Sequence, residues 1–149
     1  MSKLAVPHFQ QTTSYTCIPA CIRMVLAYHG KQYSEQALAF ALQTVPLLGT
    51  LPENVASVLE DWRHNIRWFE NGTIDQLTKL LAQNLPVIIF VRAADLPAGG
   101  SGLHALVLAG IDKRAVVLLD PTRKKDLRLT VTEFTRIWAN FGNEGMVIW

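Results

Sequence analysis

Apolar residues repeat with helical spacing through the first half of the chain. The clearest repeat falls at i, i+3, i+4, i+7 and i+8, and its members are Ile18, Cys21, Ile22, Val25 and Leu26. It predicts a helix over residues 17–28, buried along this stripe, with Pro19 in its first turn and Gly30 at its end. Three more helices are predicted, at residues 35–42 and after capping-box patterns at residues 50–53 and 73–76.

The second half of the chain has the apolar runs that are typical of strands. Residues 85–91 form a run that we expect to be buried on both faces, and residues 104–111 and 115–120 form two more. Shorter strands are predicted at residues 4–6, 66–69, 127–131 and 145–149, and a last helix at residues 132–141. Helices followed by a mostly antiparallel sheet predict an α+β fold, and the length predicts one domain over residues 1–149.

The composition is that of an ordinary globular protein. Half of the residues are hydrophobic, 17% are charged and the formal net charge is +2, so neither disorder nor a nucleic-acid-binding surface is indicated. No apolar run reaches the roughly 18 residues of a membrane span, and the first residues lack the apolar core of a signal peptide. We therefore expect a cytoplasmic protein that neither binds nucleic acid nor spans a membrane.

Cys17 lies where a polar loop meets the first predicted helix. The free N–H groups and the positive dipole end of a helix start favour a thiolate over a thiol, so Cys17 is a candidate nucleophile. Gln11, six residues upstream, could form an oxyanion site together with the Cys17 N–H. Cys21 falls on the apolar stripe. Because a zinc site would need a second Cys/His pair at ligand spacing, no metal ion or cofactor is expected.

His104 is the best candidate for the base. It opens a predicted strand after the glycine-rich loop 98–102, and Asp120 ends the next strand. A three-residue turn at residues 112–114 would place Asp120 diagonal to His104 on one face, within about 7–8 Å, whereas a two-residue turn would place them on opposite faces. Cys17, His104 and Asp120 suit a nucleophile, its base and an orienting carboxylate. The residues alone also allow a set of structural polar residues.

The order and spacing of these residues resemble the papain-like peptidases that process bacteriocin leaders, the double-glycine-leader peptidase domains. The resemblance implies a papain-like fold in which Cys17 is the nucleophile, His104 the base, Asp120 the orienting carboxylate and Gln11 the oxyanion-hole residue. It also implies cleavage after a Gly-Gly pair in a leader peptide. The residues that carry it are Gln11, Cys17, Cys21, Met24, Pro86, the run from His104, Asp120-Pro121, Glu133-Phe134 and Trp138.

The chain departs from the pattern of this family in three respects. Ile18 follows the nucleophile where the family usually has glycine, so we expect a crowded cleft or a changed choice of peptide. Thr16 precedes it where an acidic residue is common. The chain carries no transporter segment, so it would act alone or with a separate peptide-export transporter. Two alternatives stay open: a non-catalytic peptide-binding domain of the same fold, and a deamidase or transglutaminase-like enzyme.

Overall fold

The computed structural model describes residues 3–149. None of the helices in this part of the chain has the length and apolar character needed to cross a membrane. A short 3-10 turn at Ala93–Asp95 lies between the second and third strands. The helices are α1 (Cys17–Tyr28), α2 (Glu35–Ala41), α3 (Pro52–Asp61), α4 (Ile74–Ala82) and α5 (Val131–Ala139). The strands are β1 (Ile66–Phe69), β2 (Val87–Arg92), β3 (Leu103–Ile111), β4 (Ala115–Leu119), β5 (Leu127–Thr130) and β6 (Gly145–Ile148).

The six strands form one antiparallel sheet in the order β1-β6-β2-β3-β4-β5. The predicted burial of β2 on both faces is confirmed, because Ile88 and Phe90 belong to one core cluster and Val87 and Ile89 to the other. Helices α1, α2 and α3 contribute to the first cluster, and α4 and α5 to the second. The α+β class with N-terminal helices packed on an antiparallel sheet is therefore confirmed, with two later helices on the opposite face.

Helix α1 is the central element of the first cluster and packs against β3 and α2. Its predicted bounds and apolar stripe are confirmed, since every member of the stripe is buried. The burial extends beyond the stripe, because Ala20 and Met24 are also fully buried. A helix enclosed on most sides has little freedom to shift, so the position of its first residue, Cys17, is fixed relative to β3.

Besides the turn between β3 and β4 described below, two predictions made from local patterns are wrong. The capping box at residues 50–53 does not form, because α3 begins at Pro52 after Leu51, and the Thr50 hydroxyl bonds to that of Thr44 at 2.6 Å. Residues 4–6 form no strand. Leu4 instead donates its N–H to the Ala109 carbonyl of β3 at 2.8 Å. The remaining predicted helices and strands are present, with ends that differ by one to a few residues.

The hairpin of β3 and β4 contains a bulge that determines which residues face each other. Next to the turn, Ile111 pairs with Val116 and Asp112 donates its N–H to the Ala115 carbonyl, so the turn has two residues. The register then shifts by one between Leu108 and Gly110. A β-bulge adds one residue to one strand and so exchanges the faces beyond it. The predicted three-residue turn is wrong. The bulge nevertheless gives β3 and β4 the pairing that a three-residue turn would have given, with His104 and Asp120 on the same face.

Candidate active site

The open end of this hairpin brings His104 and Asp120 together. His104 Nε2 lies 2.8 Å from Asp120 Oδ1, and the two side chains are only 10% and 3% exposed. The same Oδ1 accepts the Thr122 N–H at 2.9 Å and the Thr122 hydroxyl at 2.7 Å. The predicted contact between His104 and Asp120 is therefore present, and Thr122 holds the carboxylate in the orientation that reaches the ring.

The charges of this site favour a protonated imidazole. Burial alone would lower the pKa of His104, but hydrogen bonding to Asp120 and Cys17 and their negative charges raise it to about 9. Burial opposes ionisation of Asp120 too, yet the hydrogen bonds from His104 and Thr122 keep its pKa below the usual range. At neutral pH the pair is therefore an imidazolium beside a carboxylate, with the Cys17 sulfur as the next partner of the ring.

All four residues singled out in the sequence line one cavity of about 320 Å³. Gln11 and Cys17 reach it from the N-terminal loop and the start of α1, and His104 and Asp120 reach it from the hairpin. Cys17 is half-buried, so its sulfur is accessible from this cavity. The arrangement places a thiol, an imidazolium, a carboxylate and a primary amide around one space large enough for a small part of a peptide.

Gln11 is held by its own loop and by the segment after β4. Its N–H donates to the Pro121 carbonyl at 2.7 Å, and its side-chain Nε2 donates to the Thr13 carbonyl at 2.6 Å. Nε2 carries a second hydrogen that could donate to a bound oxygen, and the buried Oε1 has no hydrogen-bond partner among residues 3–149. The start of α1 supplies further donors, because the first N–H groups of a helix have no partner within it. An oxygen bound near Cys17 could accept from both sources.

A second cavity, of about 420 Å³, is also lined by Cys17. Its apolar wall includes Leu47 and Leu48, which are unusually exposed for leucines at 104% and 72%. Ile18 also lines this cavity, but its side chain is only 4% exposed and packs in the first core cluster. Ile18, which stands where the family usually has glycine, therefore forms part of the cavity wall without closing the cavity.

Cys21 has none of the properties of a reactive thiol. It is fully buried on the α1 stripe, as predicted. Burial raises the pKa of its thiol well above the ordinary value, and the charges of Cys17 and Asp120 raise it further. Among residues 3–149, no three side chains of His, Cys, Asp or Glu lie together as a metal site would require. Cys21 is therefore a core residue, and Cys17 is the accessible thiol.

Three residues that bind to the site or to the loop that carries Gln11 were not identified from the sequence. Thr122 follows the Asp120-Pro121 pair, and an aspartate that accepts the N–H two residues later is a common turn, so this contact had a local signal. His8 bonds through Nε2 to the Asp120 carbonyl at 2.8 Å, and Glu35 binds Thr12 next to Gln11. These two contacts join distant parts of the chain and have no local signal.

The sequence matches a peptidase-like family model, and the fold is similar to that of solved peptidase domains. A family model described as "Peptidase_C39 like family" matches residues 3–146. No curated protein matches the chain in sequence. The fold is similar to that of a candidate C39-like peptidase from Bacillus anthracis, with a TM-score of 0.81 and 18% identity over 100% of this chain and 98% of the other.

Two further solved structures share the fold. One is a double glycine motif protease from an AMS/PCAT transporter in complex with the leader peptide. It has a TM-score of 0.71 and 20% identity, over 99% of this chain and 93% of the other. The other is the peptidase domain of Streptococcus ComA, a bi-functional ABC transporter involved in quorum sensing. It has a TM-score of 0.71 and 19% identity, over 95% of this chain and 96% of the other. At these identities the likeness establishes the papain-like fold of such domains.

Proposed function

We propose, from the premise that this chain belongs to the Peptidase_C39 like family, that it is a cysteine peptidase that cleaves a peptide substrate. In this proposal Cys17 is the nucleophile, His104 the acid and base, Asp120 the residue that orients His104, and Gln11 an oxyanion donor. The observation that carries the proposal is the buried contact of His104 with Asp120 at 2.8 Å, beside an accessible thiol at a helix start.

The geometry supports a simple sequence of steps. The Cys17 thiolate attacks the scissile carbonyl carbon, and the carbonyl oxygen takes the electron pair and becomes an oxyanion. That oxyanion accepts hydrogen bonds from the Cys17 N–H and Gln11 Nε2, and one such donor is typically worth about 3 kcal/mol. The His104 imidazolium gives its proton to the leaving amine as the carbon–nitrogen bond breaks. A water molecule, deprotonated by His104, then hydrolyses the thioester and releases the Cys17 sulfur.

The surroundings of Cys17 suit an extended peptide. Cys17 lines both cavities, which also share Ser14 and Ser101 in their walls, so one chain could pass from one to the other. The exposed wall at Leu47 and Leu48 suits apolar side chains of that peptide. Because the solved relatives include a double glycine motif protease and the peptidase domain of an ABC transporter, we propose a leader peptide cleaved after Gly-Gly. We also propose that this cleavage takes place in the cytoplasm and that a separate transporter exports the peptide.

The test uses a Cys17→Ala variant and a peptide library that includes Gly-Gly sites. We expect Cys17→Ala to fold like the wild type and to lose turnover, whereas Cys21→Ala, checked for folding, retains it. Iodoacetamide should label Cys17 much faster than Cys21, because the buried thiol is both less accessible and less ionised. Turnover by Cys17→Ala, or equally slow labelling of both thiols, would refute the assignment. Binding without turnover would favour a peptide-binding domain, and release of ammonia would favour a deamidase or transglutaminase.

A further inference from the structure

A buried carboxylate on α2 holds the loop that carries Gln11. Glu35 is the first residue of α2 and is only 5% exposed. Its Oε1 and Oε2 each lie 3.1 Å from the backbone N of Thr12, and Oε2 also accepts the Thr12 hydroxyl in a short hydrogen bond. A carboxylate this deeply buried needs donors to offset its loss of water. One loop residue, Thr12, supplies them.

The backbone connects Thr12 directly to the residue that binds the Gln11 side-chain amide. Thr12 lies between Gln11 and Thr13, and the Thr13 carbonyl accepts the Gln11 Nε2–H at 2.6 Å. The Thr13 hydroxyl is 2.8 Å from that of Thr16, the residue before Cys17. A displacement of Thr12 would therefore move the Thr13 carbonyl and, with it, the amide that faces the cavity. The position of Gln11 depends on a carboxylate that lines neither cavity at Cys17.

We propose that Glu35 is a positioning residue for the oxyanion site. It fixes Thr12 and thereby holds the Gln11 amide beside Cys17, so it acts on the reaction through Gln11. This inference rests on the proposed peptidase activity, because only that reaction forms an oxyanion there. A carboxylate at the first position of a helix also interacts favourably with the helix dipole. The experiment must therefore separate positioning from a contribution to stability.

The first measurement compares two Glu→Gln variants. Glu35→Gln replaces one of the two acceptor oxygens with an NH2 group, which cannot accept from Thr12, and keeps the other oxygen. We expect kcat to fall about 10²-fold, since misplacing a catalytic group by about 1 Å has an effect of that size. The expected change in KM is small, because Gln11 acts on the transition state. Glu53→Gln removes an exposed carboxylate from the first turn of α3 and should leave kcat unchanged.

A second measurement asks whether the effect passes through Gln11. In a Gln11→Ala background, Glu35→Gln should change kcat by less than about twofold, because the two residues act as one unit. Alkylation of Cys17 by iodoacetamide forms no oxyanion, so its rate in Glu35→Gln should equal that of the wild type. The inference would be overturned if the losses of kcat from the two substitutions multiplied in the double variant. It would also be overturned if Glu35→Gln slowed alkylation as much as it lowered kcat, since either result would show a merely structural role. If Glu35→Gln does not fold, Thr12→Val, which removes only the hydroxyl contact, replaces it.

A third measurement is independent of turnover. The side-chain amide signals of Gln11 in an NMR spectrum can be assigned by their loss in Gln11→Ala. In Glu35→Gln they should move towards the values of a free amide, and in Glu53→Gln they should stay in place. Unmoved signals in Glu35→Gln would overturn the inference. If the wild type cleaves no peptide, the proposed function fails while these signals still decide whether Glu35 positions Gln11.

Discussion

Replacing Asp120 by Asn would remove the negative charge beside His104 and keep its hydrogen-bond acceptor. The Oδ1 atom of Asp120 accepts from His104 Nε2 and from the N–H and hydroxyl of Thr122. An asparagine places a carbonyl oxygen at the same position, so all three donors retain a partner. The variant therefore tests the charge of Asp120 separately from the geometry that it supports.

The expected effect is large because the site favours the protonated ring. The rise in the pKa of His104 from its ordinary value of 6.5 to about 9 corresponds to ~3 kcal/mol of preferential interaction with the imidazolium. Burial opposes that rise and is unchanged in Asp120→Asn. We therefore expect the pKa of His104 to fall well below 9 in Asp120→Asn. The pKa should fall further when Cys17→Ser is added, because no neighbouring negative charge then opposes the effect of burial.

The same raised pKa determines how the stability of the fold depends on pH. A group whose pKa is higher in the folded state stabilises that state fully below its unfolded pKa, and the contribution is lost as pH rises through the folded pKa. The contribution of His104 is therefore complete below about pH 6.5 and is lost on passing pH 9. The free energy of unfolding of Asp120→Asn should differ most from that of the wild type below about pH 6.5, and this difference should shrink as the pH rises through about 9.

The assay is a pH titration of the histidine ring signals by NMR, with those of His104 assigned through a His104→Gln variant. Asp112→Asn is the matched control. Asp112 lies at the other end of the same hairpin and also accepts two backbone N–H groups, from Arg114 at 2.7 Å and Ala115 at 2.8 Å. The control should leave the pKa of His104 at about 9. A pKa near 9 in Asp120→Asn would refute the assignment of the raised pKa to Asp120.

Two further predictions follow from the contacts described above. Peptidase activity should fall as pH rises through about 9, where His104 loses the proton that the leaving amine needs. Values of kcat/KM that stay constant to about pH 11 would contradict this role of a general acid. Thr130→Ala should lower the free energy of unfolding in urea by about 1 kcal/mol, because Thr130 and Glu133 cap α5 reciprocally. Activity should not change, since α5 packs on the sheet face opposite α1, and a parallel loss of kcat/KM would contradict that separation.

Local patterns were sufficient for most helices and strands, and the errors show where they fail. The pattern at residues 50–53 has the letters of a capping box, but α3 starts at Pro52 and the Thr50 hydroxyl bonds to Thr44. A capping box does form between Thr130 and Glu133 in α5, where the sequence has the same Thr-x-x-Glu pattern. Two identical patterns thus have different outcomes, because the choice of partner for a threonine hydroxyl depends on the chain packed around it.

The contact of His104 with Asp120 was predicted correctly from a turn that the protein does not have. The turn has two residues, which alone would place the two side chains on opposite faces. The bulge at Ala109 corrects the register, and the N-terminal arm stabilises it through the bond from Leu4 to the Ala109 carbonyl. Gly110, next to the bulge, is a local signal for it, because glycine inside a strand often marks a bulge. The resulting register also depends on contacts with a distant segment.

Local patterns in the amino-acid sequence are enough to place each chemical group of the site along its helix or strand. Helical periodicity placed Cys17 at a helix start and Cys21 in the core, and apolar runs placed His104 and Asp120 at strand ends. Which of these groups contact each other depends on how the whole chain packs. The sheet register, the packing of α1 on β3 and the bond from Glu35 to Thr12 depend on burial summed over the whole core, whereas periodicity and capping depend on neighbours within a few residues.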